Sequence, residues 1–247
     1  MYNGAIDLFV PCSFDQFLPE TGWKMVTLLE HFGCKVRYNS DQTCCGYFSS
    51  VNGLEDTSKQ LADKLLDDFS NKQVVVCPGI DCLEHIRGQL GHFYKGKLHR
   101  SKYEKVTNRF FEICSFLVNE LKVTKVASEY RGRVYWLDHS NLNLPAEDAS
   151  SACLSLLKTV RGIELIPAPA NQQWSILDPA STLQLTEIVE TKAVSWLDEL
   201  TKKESQRLTV ATNNAASFVY LKNLVSRFPF EKEIEVLHPL DLLVNFY

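Results

Sequence analysis

The residues of this chain whose types and spacing could do chemistry are its cysteines: Cys12, Cys34, Cys44, Cys45, Cys77, Cys82, Cys114 and Cys153. The loop SDQTCCGYF puts two adjacent thiols, Cys44 and Cys45, directly before Gly46; Cys12 lies 31 intervening residues upstream of Cys44 and Cys82 lies 36 downstream of Cys45. Eight cysteines is a high count for a reducing compartment and too sparse for a secreted disulfide scaffold of this length, which points to metal or redox chemistry for some of them. Adjacent loop residues cannot both point into a core. Thiolates, usually four, hold iron–sulfur clusters. An all-cysteine zinc site is the chemical rival, although structural zinc sites more often use short C-x2-4-C knuckles. A Cys44–Cys45 disulfide would be strained, because neighbouring residues do not easily reach disulfide geometry.

The surrounding pattern says how these thiols would be positioned. AIDLFV at 5–10 reads as a strand, PETGWKMVTLLEHFG at 19–33 as a helix closed by glycine, and KVRY at 35–38 as a second strand leading into the Cys-Cys-Gly loop. An amphipathic helix is expected over about 54–70, with Leu54, Leu61, Leu65, Leu66 and Phe69 on one face. QVVVC at 73–77 is the clearest strand; PGID then leads to Cys82 and a helix through about Leu90, followed by a basic loop at 95–105 and a helix at 109–121. The second half repeats this order: strand 133–139, helix 150–162, strand 163–166, a loop PAPANQQW, a helix over about 180–201, strand 208–212, a helix over about 214–227 and the closing segment HPLDLLVNFY. The prediction is an α/β fold of two tandem duplicated Rossmann-like domains with parallel sheets, residues 1–128 and 129–247, offset by roughly 127 to 134 residues.

In alternating α/β folds ligands gather at the C-terminal ends of the strands. Cys12, Cys44, Cys45, Cys77 and Cys82 all follow or end a strand of the first half, so they are expected at one edge. At the equivalent places of the second half stand Asp138 or His139 and Gln172-Gln173-Trp174. Amides are poor ligands for iron and tryptophan is none, so that site should hold no cluster.

Composition excludes several classes. A net charge of −4 with dispersed Lys and Arg gives no basic field for nucleic acid. MYNGAIDLFVPC lacks a charged leader, and no run of about 18 apolar residues occurs, so a cytoplasmic protein without a transmembrane segment is expected. The glycines form neither G-x-G-x-x-G nor a Walker loop, so no nucleotide is suggested.

The arrangement C-x31-CCG-x35-C, together with LFVPC at 8–12, LLEHFGCKV at 28–36, QTCCG at 42–46 and PGIDC at 78–82, resembles the cysteine-rich CCG domain family. That family includes the CCG-bearing component of heterodisulfide reductase, the iron–sulfur component of glycolate oxidase and, nearest in its flanking residues, lactate-utilisation protein A. The resemblance implies an iron–sulfur electron-transfer subunit of a lactate- or glycolate-type oxidoreductase without a substrate site of its own. Its cluster, one of the 4Fe–4S kind and prone to loss in air, would be held by Cys12, Cys44, Cys45 and Cys82. Its partners would be the other subunits of a lactate-oxidising complex. Cys77 is an auxiliary candidate. The C-x-x-C ending seen in heterodisulfide reductase would need cysteine at 79 or 85, where Gly79 and His85 stand, so a full five-thiol cluster is not expected unless Cys77 substitutes.

Two other readings compete. The chain could be a non-catalytic scaffold or regulatory paralogue with an empty or zinc-bound thiol site, or a thiol redox enzyme. The second is disfavoured because Asp41 and Asp81 would raise thiol pKa values. Cys34, Cys114 and Cys153 are expected to be small core residues. His31, His85, His92, His99 and His238 are read as surface or capping residues, and the Asp138-His139 pair as a hydrogen-bonded structural pair.

Overall fold

A computed structural model describes residues 4–137, 147–167 and 186–245. Among the described residues eight strands form two sheets: β1 (Ala5–Leu8), β2 (Lys35–Tyr38), β3 (Val74–Cys77) and β4 (Phe110–Glu112) in the first, β5 (Glu129–Leu137), β6 (Arg161–Pro167), β7 (Leu208–Thr212) and β8 (Ile234–Leu237) in the second. Each sheet is parallel, with spatial orders β2-β1-β3-β4 and β6-β5-β7-β8. The two halves therefore share one topology. In the first sheet Ile6 pairs with Val36 on one side and Val74 on the other; in the second Tyr135 sits likewise between Ile166 and Val210. The central strands are the continuous apolar runs VVVC and LTVAT, as two-sided burial requires, whereas the edge strand KVRY is largely exposed.

The helices are α1 (Cys12–Phe17), α2 (Pro19–His31), α3 (Tyr47–Val51), α4 (Glu55–Asp68), α5 (Ile80–Arg87), α6 (Lys97–Thr107), α7 (Ile113–Ser115), α8 (Glu147–Leu157), α9 (Thr186–Thr201), α10 (Ala215–Arg227) and α11 (Pro239–Leu243). Three expectations need correction. The basic segment expected as a loop at 95–105 is helix α6, which buries Tyr103 and Val106 on one face while its cations stay in water. The segment 109–121 is not one helix: FFE forms β4 beside β3, and only then does the chain turn through α7 and a π-helical turn at Phe116–Glu120. A matching fourth strand, IEVL, precedes the closing segment of the second half. The helix expected through Leu90 ends at Arg87 and continues as a 3-10 turn, Gln89–Phe93.

The halves do not have separate cores. One cluster joins Leu8, Met25, Leu28, Val76 and Phe116 to Val134, Trp136, Leu156, Ala211 and Leu240, all buried. A second carries Phe14 and Leu18 of the first half among side chains of the second. A third, containing Phe9, Phe69, Phe110, Cys77 and Cys82, lies wholly in the first half behind the ends of β1 and β3. Cys34, Cys114 and Cys153 are buried core residues. No described helix is long and apolar enough to cross a membrane.

Candidate metal centre

Three segments deliver thiols to the C-terminal edge of the first sheet. Cys12 is the first residue of α1, entered through Pro11 in extended backbone. Cys44 and Cys45 lie in the loop between β2 and α3, and Cys82 sits in the first turn of α5. The loop is tied to the end of β1 by the Val10 N–H, which donates to Gln42 Oε1 at 2.9 Å. It then turns through Gly46, whose φ of +87° favours glycine; a Cβ there would also come within 3.3 Å of the Ser58 carbonyl oxygen and hydroxyl. Cys77 ends β3 close by.

The thiols meet as two adjoining pairs. Cys12 and Cys44 sulfurs are 3.5 Å apart, and the Cys45 thiol donates to Cys82 sulfur at 3.3 Å. Cys82 in turn feels the charge at Cys44, and Cys12 that at Cys82, which places all four within one electrostatic neighbourhood. Cys12 and Cys44 are half-buried, Cys45 and Cys82 buried, and no disulfide joins any of them. Among the described residues no group of three or more His, Cys, Asp or Glu side chains is arranged, as it stands, to hold a metal ion.

The protons of this set are not evenly shared. The Cys12 thiol, 3.5 Å away, and the Gly46 N–H, 3.4 Å from the sulfur, favour a thiolate at Cys44 and hold its pKa below the ordinary thiol range. The proton given to Cys44, then burial, push Cys12 up. Cys45 is driven up by its two thiol neighbours and by burial. Cys82 is raised by burial and by Asp81, against the donated Cys45 proton. Cys77 is fully buried and donates to the carbonyls of Gly79 and Phe111, at 3.6 and 3.5 Å; burial raises its pKa well above the ordinary value. A thiol so placed stays protonated and packs as core.

Of the histidines read as surface or capping residues, His85 departs from that reading and His238 keeps the capping role. His85 and His238 are both fully buried. His238 does cap a helix, but from inside the molecule: its Nδ1 accepts from the Leu240 N–H, and its Nε2–H donates to the Pro78 carbonyl at 3.1 Å. His85 lies one turn after Cys82, close enough to Cys44 for their charges to interact. Its Nδ1 is 2.8 Å from Gln89 Oε1, and its Nε2 is buried with no partner. Leaving a buried polar atom unpaired costs about 1–3 kcal/mol. Burial also lowers the His85 pKa, favouring a neutral ring. The i, i+3 spacing from Cys82 was the available signal for it. His31, His92 and His99 are exposed on helices or turns. Asp138, His139 and the Gln172-Gln173-Trp174 loop lie outside the described residues.

The thiols are of the kind that holds a metal group as thiolates: four from three segments, with a backbone N–H on one sulfur. Residues 6–87 match the family profile described as a cysteine-rich domain, CCG. That stretch is similar to CCG domains. All four thiols of the site, Cys12, Cys44, Cys45 and Cys82, fall within it. Beyond that stretch, the whole chain is similar to lactate utilization protein A of Geobacillus kaustophilus, 27% identical over 96% of this chain and 98% of that one. It is equally similar to the protein of the same name from Oceanobacillus iheyensis, 27% identical over 96% of each. Among solved structures, a putative Asp/Glu racemase from Yersinia pestis covers 98% of this chain, which spans 96% of that one, at 10% identity and a TM-score of 0.35, too weak a likeness to carry an argument.

Proposed function

We propose that this protein is an iron–sulfur electron-transfer subunit of a lactate-utilisation system, with a single cluster of the 4Fe–4S kind held by Cys12, Cys44, Cys45 and Cys82. The observation that carries the reading is the meeting of these four thiols at one sheet edge from positions up to 70 residues apart. The likeness to lactate utilization proteins over nearly the full chain supports the pathway. When bound, such a cluster takes up and gives back one electron at a time.

The chain's own residues prepare for that task. Cys12, Cys44, Cys45 and Cys82 would hold the group as thiolates, and the donors on the Cys44 sulfur favour that form there. The Gly46 N–H stays on the Cys44 sulfur, and a hydrogen bond to a ligand sulfur tunes the potential. Behind the site, the aromatic wall of Phe9, Phe69 and Phe110 excludes water from Cys45 and Cys82. No described residue set offers a separate acid–base pair for lactate chemistry, so the substrate reaction is assigned to a partner subunit.

The test is anaerobic expression, followed by measurement of iron, acid-labile sulfide and visible absorbance. Brown protein with iron and sulfide is expected. Protein that stays colourless after anaerobic reconstitution would remove the proposal, and stoichiometric zinc in its place would favour the scaffold reading.

A further inference from the structure

We propose that the apolar groove between α2 and the edge strand β2 is a docking site for a basic, apolar segment of a partner polypeptide, which on the reading above is another subunit of the lactate-utilisation system. The groove encloses about 400 Å³ and is lined by Val10, Phe14, Trp23, Val26, Val36 and Tyr38. Phe14 is fully buried, whereas Trp23 and Tyr38 stand 72% and 56% exposed. Large apolar side chains left in water around a hollow with a charged rim mark an interaction site, and Trp, Tyr and Arg are the residues that interfaces favour. Pro19, Trp23, Val26 and Glu30 recur at three- or four-residue intervals along one face of α2 and span roughly 16 Å of it. About five residues of extended chain cover that length. The groove therefore has the dimensions of a short peptide segment.

The charge of the occupant follows from the charge of the groove. Two lining side chains are carboxylates, Asp15 on α1 and Glu30 on α2. Asp15 accepts from the Gln16 amide, and among the described residues neither carboxylate forms an ion pair. The cations next to the lining residues are turned elsewhere: Lys24 pairs with Asp241 and Arg37 with Asp7, each at 2.7 Å. Lys35 and Arg37 alternate with Val36 and Tyr38 along β2, so they point to the other face of the sheet. A lysine or arginine flanked by apolar residues would set its charge against Asp15 or Glu30 and its stem against the Trp23 and Tyr38 rings. The same carboxylates repel an anionic lipid surface. Position ties the groove to the thiols. Phe14 and Asp15 follow Cys12 on α1, and the Val10 N–H holds Gln42, just ahead of Cys44. A partner seated there lies against the segments that carry Cys12 and Cys44, the two half-buried thiols of the site.

The test uses the full chain after anaerobic reconstitution, titrated by fluorescence anisotropy with two blocked, dye-labelled pentapeptides, one alternating leucine with arginine and one alternating leucine with glutamate. The arginine peptide should bind saturably, and more weakly as salt rises; the glutamate peptide should not bind. Trp23→Ala, and separately Asp15→Asn combined with Glu30→Gln, should weaken binding at least about tenfold. Iron content and far-UV circular dichroism should stay unchanged, since all three side chains are exposed. Equal binding of both peptides, no saturable binding, or binding indifferent to these substitutions would overturn the proposal. Self-association of the wild type that Trp23→Ala abolishes would overturn it in favour of a second copy of this chain as the occupant. Iron-loaded protein that takes neither peptide would remove the docking site and leave the cluster reading intact, whereas colourless protein that still takes the arginine peptide would remove the cluster reading and keep the docking site.

Discussion

Cys44 differs from its neighbours because the Cys12 thiol and the Gly46 N–H both reach its sulfur, and this predicts unequal consequences of substitution. Cys44→Ser removes the poised thiolate and should lower iron uptake on reconstitution at least about tenfold while far-UV circular dichroism stays unchanged. Cys77→Ser, by contrast, should leave iron content near wild type, since that thiol is engaged with two backbone carbonyls. Gly46→Ala should cost roughly 1–2 kcal/mol by denaturant titration, from the left-handed backbone alone, with the Ser58 contact adding to it. At this scale the sequence was readable wherever spacing carries the information: the interval from Cys12 through the vicinal pair to Cys82 is a linear pattern. His85 was not readable as buried. Its environment is made by Tyr47 and by the packing of α5, neither of which leaves a mark on the local sequence around Cys82.

The elements show the same limit in another form. The long periodic segment α4 and the buried, mainly apolar VVVC and LTVAT strands declare themselves, because burial on one face or on both marks the sequence. The fourth strand of each sheet is too short for any period, and FFE runs straight into helix-like residues, so only pairing with β3 reveals it. The start of α11 also predicts a pH response. The His238 pKa is lowered to about 4, first by burial, while Asp241 opposes the shift and Lys24 adds to it. An unfolded histidine titrates near 6.5, so between about pH 6.5 and 4 the unfolded chain takes up a proton that the folded one refuses. This contribution is fully present above about pH 6.5 and falls as the pH drops to 4, by up to ~3 kcal/mol. A His238→Asn variant should lose stability at pH 7 and show a flatter decline in melting temperature through that window.

Across the whole molecule, the two sheets are joined by a continuous apolar cluster and by the Lys24–Asp241 ion pair at 2.7 Å. A chain with duplicated topology need not unfold in two steps. Calorimetry of the metal-free protein should show one transition, and Leu240→Ala, at the shared core, should destabilise it by about 2–5 kcal/mol without splitting that transition. Two separate transitions would contradict this.

The short segment ahead of Cys82 is gripped from the far side. His238 holds the Pro78 carbonyl, the Ile80 N–H donates to the Asn213 carbonyl at 3.3 Å, and the buried Asp81 carboxylate faces the amides of Ala215 and Ala216. All of these grips come from the half that brings no thiol to the site. That half is therefore a jig: it clamps the approach to one ligand, so damage at Asn213 or at the start of α10 would be felt as a misaligned fourth sulfur, on a sheet to which neither residue belongs.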